Sequence, residues 1–260
     1  MRMTTQDQLG RTVEITGKPH KLISLVPSIT ELLFDLGLGE FIRGRTKYCI
    51  HPEEKTGEVP TVGGVMGLDY HQIEQIKPDV IFASREENSK NEIDDIAKQF
   101  PVWVSDVQNL SDALEMIQTI GNICEVEDTA RNMVQNIRDH FSQLSDIPEG
   151  VIRAVYLIWK HPLYTINEHT FIHDMLRKSG IENVFADKEK AYPIITEKEI
   201  KDRKPDYILL PSEPYNFTEK DVAEFTKKFP NAEIKRVDGE FFSWYGSHLL
   251  NAPSYFKQIL

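Results

Sequence analysis

Cysteine is nearly absent from the 260-residue chain: Cys49 and Cys124 are its only two, too few for a disulfide framework. Cys124, in Ile120-Gly-Asn-Ile-Cys-Glu125, reads as a buried helix position, whereas Cys49 lies in the polar stretch Thr46-Lys-Tyr-Cys-Ile-His-Pro52. Long apolar runs are missing too, and none approaches the ~18 residues that cross a bilayer. The opening Met1-Arg-Met-Thr-Thr-Gln-Asp-Gln8 lacks the apolar centre of an export signal. The sequence as it stands therefore reads as a cytoplasmic chain, or as one whose signal has been left out. A basic tract is also lacking: 30 Lys and Arg face 41 Asp and Glu, for a net charge of −11. That argues against nucleic acid as a partner, because phosphate contact relies on clustered cations. No Gly-x-Gly-x-x-Gly follows the first strand, and there is no phosphate loop and no Gly-x-Ser-x-Gly elbow.

The remaining composition is that of a folded protein, with 40% hydrophobic, 10% aromatic and 27% charged residues. The length suits two lobes of roughly 100–120 residues each. Residues 4–16 read as an opening hairpin or edge strand, with Gly10-Arg11 as the turn. Lys21-Leu-Ile-Ser-Leu-Val26 reads as a strand that stops at Pro27. Ser28-Ile-Thr-Glu31 has the spacing of a capping box, ahead of a helix closed by Gly37. Helices are expected over 68–76, 91–99, 111–122 and 126–145, and strands over 80–83 and 102–104. In the 126–145 segment, Val126, Ala130, Met133, Ile137, Phe141 and Leu144 form one apolar stripe. Asp146-Ile-Pro-Glu-Gly150 then breaks the chain. The pattern restarts with a strand over 154–159, helices over 170–179, 196–203 and 218–228, and strands over 207–210 and 233–237. Strands alternating with helices predict mostly parallel sheets. The expected division is an N-terminal α/β lobe over 1–109, a helical linker over 110–148, and a C-terminal α/β lobe over 149–260.

The two halves share a signature. Lys77-Pro78-Asp79 precedes an apolar strand and a polar loop with Ser84 and Glu86; Lys204-Pro205-Asp206 precedes another, with Ser212 and Glu213. Proline stops the helix and holds its predecessor extended, and the Asp is expected to cap the turn into the strand. Ligands of open parallel sheets bind outside the carboxyl ends of the strands. If the lobes face each other, Ser84–Asn88 and Ser212–Tyr215 line one cleft.

The candidate ligand-binding residues lie in such loops: Pro27, Ser28, Tyr48, His51, Glu86, Glu87, Asn88, Trp159, Glu213, Phe241, Trp244 and Tyr245. Pro27 and Ser28 open a helix whose free N–H groups suit an anionic or carbonyl edge. Phe241-Phe-Ser-Trp-Tyr245, flanked by glycines, reads as a set of exposed aromatic platforms for a planar ligand. His51, His161 and His248 with Cys49 lack metal-ligand spacing, so no bare-metal site is expected. Adjacent Glu86 and Glu87 suit hydrogen-bond acceptance or partner docking better than paired acid–base catalysis.

Residues Lys21 to Gly37, Gly67-Leu-Asp69 ahead of Lys77-Pro-Asp-Val-Ile81, Ser179-Gly-Ile-Glu-Asn-Val-Phe185, and Tyr192-Pro193 with Lys204-Pro-Asp206 resemble class III, helical-backbone substrate-binding proteins of ABC importers. The cobalamin-binding component is the most similar. Asp7-Gln-Leu-Gly-Arg-Thr-Val13 resembles the start of such domains, and the match runs over roughly residues 7–250. The resemblance implies a chelatase-like α/β fold, with two Rossmann-like lobes built on central parallel sheets and joined by one long backbone helix. It implies a solute-binding protein and no enzyme, with no cofactor or side-chain metal site of its own. The implied ligand is a metal chelate of the corrinoid, haem or ferric siderophore class, held in the inter-lobe cleft. The implied partner is an ABC permease, the chain a monomer, and its place periplasmic or membrane-anchored. Cobalamin binders carry a tryptophan just before the Gly67 position, where this chain has Val65-Met66, so the three ligand classes stay open. A cytoplasmic sensor or carrier on the same scaffold, and a chelatase-like enzyme, are the alternatives.

Overall fold

The computed structural model describes residues 2–144 and 152–259. The break expected at Asp146–Gly150 lies outside the described residues. The chain forms two units: Met1–Val107, Ser111–Asn136 and Tyr245–His248 make the first, and Gln108–Leu110, Ile137–Trp244 and Leu249–Leu260 the second.

In the first unit, β1 (Arg2–Gln6) and β2 (Thr12–Thr16) form the expected antiparallel hairpin, with Gly10 at φ +76° in its turn. Next come β3 (Leu22–Ser24), α1 (Pro27–Asp35), β4 (Ile42–Arg45), α2 (Glu53–Thr56), α3 (Tyr70–Ile76), β5 (Val80–Ser84), α4 (Lys90–Ile96), β6 (Val102–Ser105), α5 (Leu110–Ile123), all but its first residue in this unit, and α6 (Glu127–Ser142), which passes from the first unit to the second at Ile137. Strands β3 to β6 make one four-stranded sheet in the order β4-β3-β5-β6, parallel throughout. All five residues of β5 are buried, as a continuous apolar run in a parallel sheet demands. The stripe on α6 is buried at Ala130, Met133, Ile137 and Phe141.

The second unit holds β7 (Ile152–Tyr156), β8 (Leu163–Tyr164), α7 (Phe171–Lys178), β9 (Ile181–Asn183), β10 (Ile194–Ile195), α8 (Glu197–Arg203), β11 (Tyr207–Pro211), α9 (Glu219–Lys228), β12 (Glu233–Val237), α10 (Glu240–Ser243) and α11 (Ala252–Ile259). Its main sheet is again four-stranded and parallel, ordered β12-β11-β7-β9. The two orders are the same once β3, β4, β5 and β6 are matched to β7, β9, β11 and β12. The internal repeat read from the Lys-Pro-Asp signature is therefore a repeat of topology.

Three local expectations are corrected. Ser28 does not cap α1: the helix begins one residue earlier with Pro27 at its first position, and Val26 is the N-cap. Proline has no N–H to satisfy there, so it opens the helix without a side-chain cap, and Glu31 is left to meet His248. Asp79 and Asp206 do not cap their own strands. Their carboxylates accept from the backbone N–H groups of Lys21 and Arg153 at the start of the neighbouring strand. The helix turns themselves end on Lys77 and Lys204, both left-handed, at φ 52° and 48°. Finally, the aromatics expected as exposed platforms are largely interior: Phe242 is fully buried, and Trp244 and Tyr245 are 5% and 3% exposed. Trp244 and Tyr245 each bring a polar edge to a carboxylate, which lets them enter the interior without an orphaned donor.

Candidate functional site

In each sheet the order of strands reverses once. From β3 the chain goes to β4 on one side, and from β5 to β6 on the other. In the second unit β7 leads to β9 and β11 to β12 in the same way. The loops leaving β3 and β5, and those leaving β7 and β11, therefore diverge at topological switch points, where open α/β sheets hold ligands. Most of the sequence-derived candidates sit on these four loops.

In the first unit, Pro27 and Ser28 follow β3. Ser28 is buried and its Oγ has no hydrogen-bond partner. Gly246 reaches the same turn: a Cβ there would come within 2.5 Å of the Ser28 carbonyl oxygen, so only glycine permits this approach. The loop after β5 is folded on itself. The backbone N–H of Ser84 donates to Asn88 Oδ1 at 2.8 Å, and that of Glu86 donates to Ser84 Oγ at 3.1 Å. Asn88 Nδ2 donates to the carbonyls of Leu25 and Val65 at 3.3 and 3.1 Å. The Asn88 amide thus braces three segments, which is a positioning task.

Glu87 Oε1 accepts from the Tyr245 hydroxyl at 3.1 Å. Burial, followed by the charge of Glu87, pushes the Tyr245 phenol well up, so it stays a donor. Glu86 points to solvent. Desolvation on its protein side pushes its carboxyl up to about 7; Asp106 adds repulsion and Arg85 opposes it. Solvent still reaches this side chain, so screening moderates the rise. Beyond β4, Tyr48 is 51% exposed, with the Lys47 ammonium 5.0 Å from its ring centre. His51 is half-buried. Cys49 is fully buried and its thiol contacts Thr46 Oγ1 at 3.2 Å. Burial pushes that thiol up, which makes Cys49 a core residue and not a nucleophile.

In the second unit, Trp159 beyond β7 is 43% exposed. Its ring meets Tyr215, from the loop after β11, edge-on at 5.2 Å. Tyr215 in turn meets Phe217 at 4.7 Å, and Phe217 meets Phe225 at 6.2 Å. An exposed indole is thereby held by a run of rings into the core. Glu213 Oε1 accepts from both Ser243 Oγ and Trp244 Nε1, the latter at 2.9 Å. Burial raises the Glu213 carboxyl, while the Ser243 and Trp244 bonds pull against that. Phe241 stacks on Tyr255, with ring centres 4.3 Å apart.

The geometry thus gathers Pro27, Ser28, Glu86, Glu87, Asn88 and Tyr245 on the first unit, and Trp159, Glu213, Phe241 and Trp244 on the second. His161 is exposed, and His248 Nδ1 lies 3.2 Å from both carboxylate oxygens of Glu31. Among the described residues no three His, Cys, Asp or Glu side chains are placed to hold a metal ion. Several features had no signal in the spacing. Lys160 is bound by Asp221 and Glu224 at 2.6 Å each, partners some sixty residues away. Tyr156, the last residue of β7, is fully buried with its hydroxyl unpartnered.

The family described as periplasmic binding protein matches this chain over residues 22–235. The vitamin B12-binding protein of Yersinia pestis (strain Pestoides F) is 26% identical over 194 residues, covering 74% of this chain and 69% of that protein. The fold is also that of the periplasmic heme-binding protein from Roseiflexus sp. RS-1, at a TM-score of 0.77 with 16% identity, covering 93% and 99% of the two chains. It is likewise that of an ABC-type Fe3+-hydroxamate transport system protein from Saccharomonospora viridis, at 0.74 with 16% identity, covering 98% of each. Among the described residues no helix is long and apolar enough to cross a membrane.

Proposed function

We propose that this chain, which belongs to the periplasmic binding protein family, captures a metal chelate reversibly and delivers it as a monomer to an ABC importer. The ligand class is corrinoid, haem or ferric hydroxamate. The relatives support this choice, since their names state vitamin B12, heme and Fe3+-hydroxamate. The same kinship supports a periplasmic or membrane-anchored place.

One observation carries the reading. Both four-stranded sheets present, at the switch point of their strand order, an aromatic or carboxylate side chain that is already fixed by a neighbour. Glu87 is fixed by Tyr245, Glu213 by Trp244, and Trp159 by Tyr215. Preorganised side chains lose little entropy on binding. An exposed indole suits the flat face of a chelate, and carboxylate acceptors suit its polar rim. No nucleophile with an activating base stands among these residues, so they bind and orient.

Equilibrium dialysis against coloured chelates tests the proposal. A corrinoid, haem or ferric hydroxamate should be retained at a stoichiometry of one per chain. Retention of none of the three would refute it.

A further inference from the structure

Acidic side chains gather at the carboxyl ends of the two sheets. Glu86 and Glu87 follow β5, Asp106 follows β6, Glu213 follows β11, and Asp238 follows β12. Three of the cations on these loops are engaged. Arg85 bonds Asp106 at 2.6 Å, and Lys160 is shared by Asp221 and Glu224. The Lys47 ammonium lies over the Tyr48 ring.

Two of the acids are built in. Glu87 and Glu213 occupy equivalent loops of the repeat, and consecutive residues hold them: Tyr245 donates to Glu87 and Trp244 to Glu213. Gly239 lets the backbone close on Glu213, for a Cβ there would lie 2.9 Å from Glu213 Cγ. Each end also keeps a buried hydroxyl with no partner, Ser28 Oγ in the first unit and Tyr156 Oη in the second. Glu213 is the charged group that acts most strongly on that phenol.

An ionised carboxylate only accepts hydrogen bonds. Amide N–H groups and ammonium ions meet it with charge-assisted bonds. A ligand carboxylate set against it is repelled and loses its hydration uncompensated. We infer that Glu87 and Glu213, held by Tyr245 and Trp244, determine specificity by favouring a chelate rimmed with amides or carrying net positive charge over one rimmed with carboxylates. The inference rests on the proposed chelate-binding function and narrows its ligand class.

The test compares one macrocycle in two forms, haem and the haem whose two propionates are converted to primary amides, with cobinamide as a second amide-rimmed probe. Titration calorimetry on the intact chain should give the amide form at least about tenfold tighter binding than haem, the size of one or two charge-assisted contacts. The gap should narrow as salt rises, because exposed charges are screened. Glu87→Gln and Glu213→Gln keep an acceptor oxygen for Tyr245 and Trp244 and should each shrink the gap to about threefold or less. Equal or tighter binding of haem in the unmodified protein would overturn the inference while leaving chelate binding intact. A gap unmoved by salt and by both variants would overturn the assignment to these two residues. No binding of any of the three probes would overturn the proposed function and this inference with it.

Discussion

Lys21 and Asp79 hydrogen-bond to each other in both directions: Asp79 Oδ2 accepts from the Lys21 N–H at 2.9 Å, and the Asp79 N–H donates to the Lys21 carbonyl at 2.9 Å. Arg153 and Asp206 repeat the pair at 2.9 and 2.7 Å. In each unit the pair pins the first strand to its neighbour at the amino ends of β3 and β5, or of β7 and β11. The carboxyl ends, where the candidate residues sit, inherit that register.

Removing either carboxylate should loosen its own sheet. Asp79→Ala and Asp206→Ala are each expected to cost about 1.5–3 kcal/mol, the range for a lost hydrogen bond that involves a charged acceptor. Urea unfolding of the two variants checks this, and an unchanged midpoint in both would contradict it.

Gly246→Ala should destabilise the first unit. The added methyl would meet the Ser28 carbonyl oxygen at 2.5 Å, and backbone cannot yield as a flexible side chain does. Overpacking of this kind costs about 1–3 kcal/mol. A thermal melt as high as that of the parent would show that the turn at Ser28 can move.

Much of this was legible in the sequence. The hairpin, the alternation of strands and helices, the apolar stripe on α6 and the repeated Lys-Pro-Asp are local patterns, and local patterns survive tertiary packing. The partners of long side chains were not legible. Nothing near Glu213 in sequence announces Trp244, and nothing near Glu31 announces His248. The aromatics of 241–245 read as exposed because glycines flank them; they are interior because Glu213 and Glu87 satisfy the indole and the phenol. Ser28 shows the opposite failure, for its capping-box spacing was real but Pro27 had already opened the helix.

Acid should strip one interaction from the second unit. Burial would raise the Asp221 carboxyl, but Lys160 and the bonds from Thr218 outweigh it and hold it at about 2. A carboxyl depressed in the folded state contributes stability that is present above its unfolded value of ~4 and is lost as pH falls towards 2. Asp221→Asn is expected to lose on the order of 1–2 kcal/mol at pH 7, and progressively less below pH ~4. A deficit independent of pH would contradict the assignment.

Glu86 carries the opposite sign. Its carboxyl is raised to about 7, so the folded state binds the proton more tightly than the unfolded chain. The charge therefore costs stability above pH 7, and the cost fades as pH falls towards 4.5. Glu86→Gln should melt higher than the parent at pH 8 and together with it near pH 4.5. Parallel curves at both values would rule the burial effect out.

Trp159 offers an optical test. Its indole is exposed and rests on Tyr215, so a stacked chelate should quench its fluorescence. Trp159→Ala should weaken chelate binding about tenfold, the scale of an aromatic contact at a desolvated surface, while leaving the thermal melt nearly unchanged. Full affinity in the variant would remove Trp159 from the binding face.

The measurement closest to the central claim is isothermal titration of the intact chain with cobinamide, haem and a ferric trihydroxamate. The account predicts saturable one-to-one binding of at least one of them, with a dissociation constant of roughly micromolar or tighter and a negative heat-capacity change from buried apolar surface. Flat titrations with all three, on protein that melts cooperatively, would contradict it.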